Sequence, residues 1–318
     1  MSAMTLFRKL SGLTLGAALS FLVPGAATGT TLYWDQNGIV AGWGGNAGTW
    51  ANTGGSSNWT TDSTGLFADG GISQTTSNDD LFIGTMALQF GNNAGPTISG
   101  DVYAKSLTVI AAGNNRGSFL TGGTIRLGNS GFTINNPSPG SNFNAGISSA
   151  WILEAGAGVS TYFINNDKQV YYQGGFTLSG SLTGASDLVI QCNDIPPSPV
   201  GFSFSDATTG VNVTGAVTNS GIGGKLDGAA THVLIAKLGA NVTGVTQNSA
   251  NSAMAIESFA ATFNGPLTVN AGILRVANSL YGSTVANITT SKVTVASGGT
   301  FALKAGGAGI PPRTLAPS

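Results

Sequence analysis

The chain has 318 residues, of which 49 are Gly, 25 are charged and one is Cys. Charge is about a third of its usual share while 41% of residues are hydrophobic, which excludes a charged disordered chain. The glycines follow no three-residue period, Cys192 has no partner in the chain, and 12 basic residues face 13 acidic ones without a basic cluster; collagen, a disulfide scaffold and a nucleic-acid-binding surface are excluded in turn.

Residues 1–27 read as a secretory signal. Arg8 and Lys9 precede the uncharged apolar run from Leu10 to Val23, which is too short to cross a bilayer as a permanent helix. Pro24-Gly25 breaks that run, and Gly25-Ala26-Ala27 supplies small residues for cleavage after Ala27. Cleavage removes two cations, so the mature balance is 10 basic to 13 acidic residues. No later stretch reaches the eighteen or so apolar residues that a spanning helix needs.

Residues 28–80 hold four tryptophans, Trp34, Trp43, Trp50 and Trp59. From Thr31 onward the apolar positions recur at period two, as in Leu107-Thr-Val109, Ile125-Arg-Leu127, Leu267-Thr-Val269 and Phe301-Ala-Leu303. Short runs of Val, Ile, Phe and Thr with that period predict half-buried strands. Asn and Gly clusters such as Gly91-Asn-Asn-Ala-Gly95 and Gly298-Gly299 separate them, and these residues tolerate the positive φ of tight corners. The class is all-β. Asn193-Asp-Ile-Pro196-Pro197-Ser-Pro199 predicts an exposed loop, because proline cannot join a central ladder. Cys192 follows Leu188 and Ile190 at alternate spacing, which predicts a buried small hydrophobe.

Internal repetition selects among all-β architectures. Gly122-Gly-Thr-Ile-Arg-Leu127 and Gly298-Gly-Thr-Phe-Ala-Leu303 are the same phrase. Leu267-Thr-Val-Asn-Ala-Gly272-Ile-Leu274-Arg-Val276 recurs from Val293 to Leu303 with one residue inserted. Such spacing predicts a right-handed parallel β-helix over 81–305; at about 24 residues per coil, the 291 residues after Ala27 divide into roughly twelve coils. Uncharged Asn, Thr and Ser suit it, since like charges stacked coil upon coil would repel. An immunoglobulin-type β-sandwich is the alternative. The tail, 306–318, with Pro311-Pro312 and Pro317, is expected to be irregular.

The stretches Leu32-Tyr-Trp34-Asp35, Gly42-Trp43-Gly-Gly, Gly48-Thr-Trp50 and Ser57-Asn58-Trp59 resemble the opening of proteins with autotransporter-associated β-strand repeats. The phrase Phe263-Asn-Gly-Pro-Leu267-Thr-Val-Asn-Ala-Gly272-Ile-Leu274-Arg-Val276-Ala-Asn278 is similar to the repeat itself. The resemblance covers 32–60 and 260–303. It implies a secreted or surface-displayed β-helix passenger of a Gram-negative-type bacterium, with no catalytic residues of its own. The chain departs from the family in showing no C-terminal translocator barrel, which leaves open whether it is a short secreted protein or part of a larger passenger.

Two roles fit the tryptophans. They either close the open hydrophobic end of the first coil or form a glycan platform beside Asp35, Asn37 and Asn58. An extracellular glycan or an envelope component is the partner that the second role would imply. For catalysis, a glycosidase needs two carboxylates about 5–10 Å apart; only Asp79 and Asp80 are adjacent, and strand neighbours point to opposite faces. His232 is the single His and has no Gly-x-Ser-x-Gly elbow to serve; it reads as a strand-edge or surface residue. One Cys and one His cannot build a zinc site, and no calcium loop motif occurs. Asn58-Trp-Thr60, Asn212-Val-Thr214, Asn241-Val-Thr243 and Asn287-Ile-Thr289 match the glycosylation sequon, read here as a coincidence of composition. The expectation is a non-enzymatic display or interaction protein without cofactor or metal, with a carbohydrate-binding module second and a polysaccharide-degrading enzyme third.

Overall fold

A computed structural model describes residues 29–37, 43, 47–54, 58–65, 71–84, 95–110, 116–135, 144–154, 161–166, 176–192, 202–221, 233–260, 262–277, 293–304 and 313–315. The signal segment, His232, the proline-rich stretch 193–199 and Asn287 lie outside these residues, as does the Cys192 side chain. Among the described residues there is no helix, and nearly every strand pairing is parallel.

The strands fall into three columns. The first runs from Thr31–Trp34 to Asp80–Ile83, 106–110, 131–135, Thr161–Asn166, Asp187–Cys192, Ala216–Asn219, 244–247, 267–269 and Val293–Val295. The second joins 101–104, 124–127, Ala150–Leu153, Leu182–Gly184 and Val211–Val213, then narrows to single bridges at Leu238 and Phe259. The third holds Thr49–Ala51 on Thr97–Ser99, then Arg116–Leu120, Asn144–Ile147, Phe176–Leu178, Phe202–Phe204, Val233–Ile235, 253–256, 272–277 and Gly299–Lys304. Over most of its length the chain visits third, second and first column in turn, then repeats. The predicted repeat is a pairing: Leu267 lies against Val293, and after the inserted residue Leu274 lies against Phe301. The other repeated phrase serves two different columns, with Ile125 in the second and Phe301 in the third. What the phrase encodes is its corner: Gly122 and Gly298 both take positive φ.

Period-two alternation puts one face of each column inward. Leu32, Leu81, Leu107, Phe132 and Ile190 line the first column, Val102, Ile125, Trp151, Leu182 and Val211 the second, and Ile147, Leu178, Phe204, Ile235, Ile256 and Val276 the third; all belong to one buried cluster. Each such side chain contributes roughly 1.5–3 kcal/mol when removed from water. A three-residue strand alone buries too little to persist, so each depends on its neighbours in the column.

Two expectations are corrected here. A β-sandwich needs antiparallel sheets, whereas parallel ladders dominate. The tail is not wholly irregular: Arg313–Leu315 pairs antiparallel with Gly299–Lys304, Leu315 opposite Phe301 and Arg313 opposite Leu303. Prolines bar a segment from a central ladder, but this three-residue strand lies after Pro311-Pro312 and contains no proline, so its own N–H groups remain free to donate.

Candidate functional site

The tryptophans stand where the chain first enters the columns. The step from Thr31 to Asp80 is far longer than any later one, and the extra chain holds Trp59–Thr60, which pairs antiparallel with Thr31–Trp34 and brings Trp34 opposite Trp59. Their rings meet edge to face at 5.2 Å, and Trp50 meets Trp59 at the same distance. Trp50 Nε1 donates to Thr75 Oγ1 at 3.1 Å. Asn52 and Thr75 exchange bonds that tie 71–75 beside this strand. Exposure is 2% for Trp34, 1% for Trp50 and Trp59, and 9% for Trp43. Buried indole faces are not offered to a sugar ring, so the glycan contact expected at Trp34, Trp43, Trp50 and Trp59 is corrected: Trp34, Trp50 and Trp59 belong to the core cluster, and Trp43 packs against the ring of Tyr33. Their polar neighbours are structural too. The Asp35 backbone N–H donates to Asn58 O and the Asp35 carboxylate accepts the Asn37 N–H. Beside them, Tyr33 and Phe82 face outward, register partners stacked at 5.2 Å and half-buried. Tyr33 was readable as the odd position of Leu32-Tyr-Trp34, whose even positions point inward.

The acids are held singly or by cations. Asp79 accepts from the Thr30 and Thr76 N–H groups and from Thr76 Oγ1. Asp80 instead meets Lys105 Nζ at 3.0 Å and Ser106 Oγ at 2.6 Å, so the two neighbours serve different partners. On the outer face of the second column Arg126 joins Asp101 at 2.7 Å and Glu154 at 2.6 Å, with the Tyr103 ring 5.9 Å away. Its pKa is raised, first by the bond to Glu154 and then by that to Asp101. This is a charge-neutralising ladder of carboxylate, guanidinium and carboxylate, with the cation between the acids. The Asp206 carboxylate closes a turn on the N–H groups of Thr208, Thr209 and Gly210. Burial pushes its pKa up, and those three bonds together with Lys237 outweigh it, so the net shift is downward. Among the described residues no group of three His, Cys, Asp or Glu side chains could hold a metal ion. No helix among them is long and apolar enough to cross a membrane. Asp69, Asp167, Asp194 and Asp227 lie outside the described residues.

The core contains a polar cluster that the sequence pattern did not announce. Asn219 and Gln247 are register partners in the first column, both fully buried. Asn219 Nδ2 donates to Gln247 Oε1 at 2.9 Å and to Ser252 Oγ at 2.6 Å. Gln247 Nε2 donates to the carbonyls of Ser249 and Ser252, across the place where the ladder to 267–277 shifts register. A side-chain amide thus replaces the ladder bonds that an irregular corner cannot make. Gly272 packs on the same corner at φ +70, and a Cβ there would collide with the Ser249 and Ser252 carbonyls.

No family model, no curated protein and no solved structure matches the chain.

Proposed function

We propose that this protein is a secreted or surface-displayed structural and interaction protein, built as a right-handed parallel β-helix of autotransporter-associated repeat type. The observation that carries the reading is the rotation of the chain through three parallel, in-register columns, because one passage through all three makes one coil stacked on the last. The right hand follows from the strong preference of parallel crossover connections. Eight register steps lead from Leu81 to Val295, so each coil takes more residues than the 24 expected, and the coils are correspondingly fewer. Ten strands at about 4.8 Å apart give a rod on the order of 45 Å.

The mechanism is geometric. A stiff, weakly charged rod holds its corners and loops at fixed spacing, where a partner can meet them. Export is supported by Arg8-Lys9, the apolar run to Val23 and the small residues up to Ala27. The reading is non-enzymatic: Asp79, Asp80, Asp101, Glu154 and Asp206 are each engaged by backbone, hydroxyl or cationic partners. Small-angle scattering together with fractionation and intact-mass analysis of the native host tests it. An elongated particle outside the cell, beginning near Thr28, is the expected result. A spherical particle, or one retained in the cytoplasm with residues 1–27 intact, would overturn it.

A further inference from the structure

We propose that the outer edge of Val293–Val295 is a self-association surface, which pairs antiparallel with the same strand of a second copy. This is the last described strand of the first column, joined to 267–269 along one edge. The Ala296 N–H donates to Val269 O, so by alternation the N–H and C=O groups of Val293 and Val295 point to the other edge. Among the described residues no strand takes that edge. The inward ladders change at the same place. Val217, Val245 and Leu267 in one ladder, and Gln247 and Val269 in the other, are buried. Val293 and Val295 continue them and are only half-buried. Phe259, where the second column's described pairings end, is half-buried as well. An unpaired strand edge thus coincides with an uncovered apolar end, the combination that takes on a further strand.

Self-complementarity selects a second copy as the occupant. A two-fold axis through Thr294 sets Val293 opposite the partner's Val295, and Val295 opposite the partner's Val293. These are the residues whose N–H and C=O groups point outward, so each pair exchanges both of its hydrogen bonds. Their side chains lie on the inward face, where the two apolar ends then cover each other. Identical surfaces bring identical charges together, and the stretch from Val293 to Phe301 contains no ionisable residue to repel its copy. Antiparallel closure is already used within the chain, by Trp59–Thr60 against Thr31–Trp34 and by Arg313–Leu315 against Gly299–Lys304. The first column's last described strand gains from a second copy what those two strands have from their own chain. The pairing needs only the parallel stack, and holds whether or not the chain is exported.

The test is sedimentation velocity and small-angle scattering of the purified mature chain over a concentration series. A dimer with a Kd on the order of 10–100 μM is expected, as suits a small contact. End-to-end pairing makes its long dimension about twice that of the monomer. Thr294 is exposed and meets the partner's Thr294 at the axis, in the kind of pair whose side chains come closest. Thr294→Lys and Thr294→Glu each bring like charges together and are expected to weaken the dimer about fivefold or more, while an equimolar mixture of the two restores it. Should a charged variant misfold, Val295→Pro removes an outward N–H and no ladder bond, and is likewise expected to weaken association. A chain that stays monomeric up to about 1 mM overturns the proposal. So does a dimer no longer than the monomer, or one indifferent to the folded variants and their mixture. Val293 and Val295 amides protected from exchange in a monomer would also overturn it, and assign the edge to another segment of the same chain.

Discussion

Gln247→Leu isolates what the buried polar corner contributes. Leucine is close to glutamine in volume, so little cavity forms and the effect is one of hydrogen bonding. Three bonds go: Asn219 Nδ2 loses Gln247 Oε1, and the Ser249 and Ser252 carbonyls lose Gln247 Nε2. Asn219 Nδ2 retains Ser252 Oγ, so the two carbonyls carry the loss. Each buried group left without a partner costs about 1–3 kcal/mol, and the added apolar burial offsets part of that, leaving about 2–5 kcal/mol. Stacked repeats open segment by segment, so the assay is native-state amide hydrogen exchange, comparing 244–277 with 102–134. Protection over 244–277 is expected to fall about thirtyfold or more, with 102–134 unchanged. A double variant with Asn219→Leu should lose less than the two single variants together, because both remove one shared interaction. Protection within about threefold of wild type over 244–277 would refute the argument and mean that the corner closes without Gln247.

Gly272→Ala forces a Cβ into the Ser249 and Ser252 carbonyls at positive φ, and is expected to lower thermal stability more than Gly298→Ala, whose Cβ position is open; scanning calorimetry compares them. Arg126→Met removes two ion pairs on a half-exposed face, and should change stability by only about 0–1 kcal/mol, less at high salt, in urea titrations at two ionic strengths. Asp206 has a lowered pKa in the folded state, so its contribution is present above its unfolded pKa and lost as pH falls through the folded one. Asp206→Asn should therefore be destabilising at neutral pH and converge with wild type in acid, measured as melting temperature against pH. Trp34, Trp43, Trp50 and Trp59 are buried, so acrylamide should quench native emission weakly, and soluble oligosaccharides should leave it unchanged.

The all-β class and the strand positions were legible because most inward residues are apolar and recur at period two, which fixes phase within a strand. Parallel pairing was legible only where two copies of a phrase are alike, at 267–276 and 293–303. Between residues 85 and 260 the columns persist although the corners differ in length, and inward Leu107, Phe132 and Ile190 share no phrase, only a face. Core placement tolerates many apolar side chains of suitable size, so sequence likeness fades where packing alone sets the constraint. Asn219 and Gln247 break the apolar rule for a reason no local pattern carries: their partners sit on a corner that has lost its ladder. The tryptophans were ambiguous in sequence because closing an end and stacking on a sugar call for the same side chain. Burial is the property that separates the two roles, and it depends on residues 49 positions apart in the case of Thr31 and Asp80.

The two antiparallel strands explain how a parallel stack can stop. Every strand of a parallel column has two edges, and the outermost leaves a row of unpaired N–H and C=O groups that invites another chain. At the first column's beginning Trp59–Thr60 takes that edge from Thr31–Trp34, and at the third column's last described strand Arg313–Leu315 takes it from Gly299–Lys304. Both closing strands run against the stack. A parallel closing strand would present the same slanted bonding pattern onward and so continue the template, whereas an antiparallel one changes the spacing of donors and acceptors. The reversal therefore ends propagation as well as pairing the edge. At the first end, Trp34, Trp50 and Trp59 also pack edge to face within the buried cluster beside that closing strand.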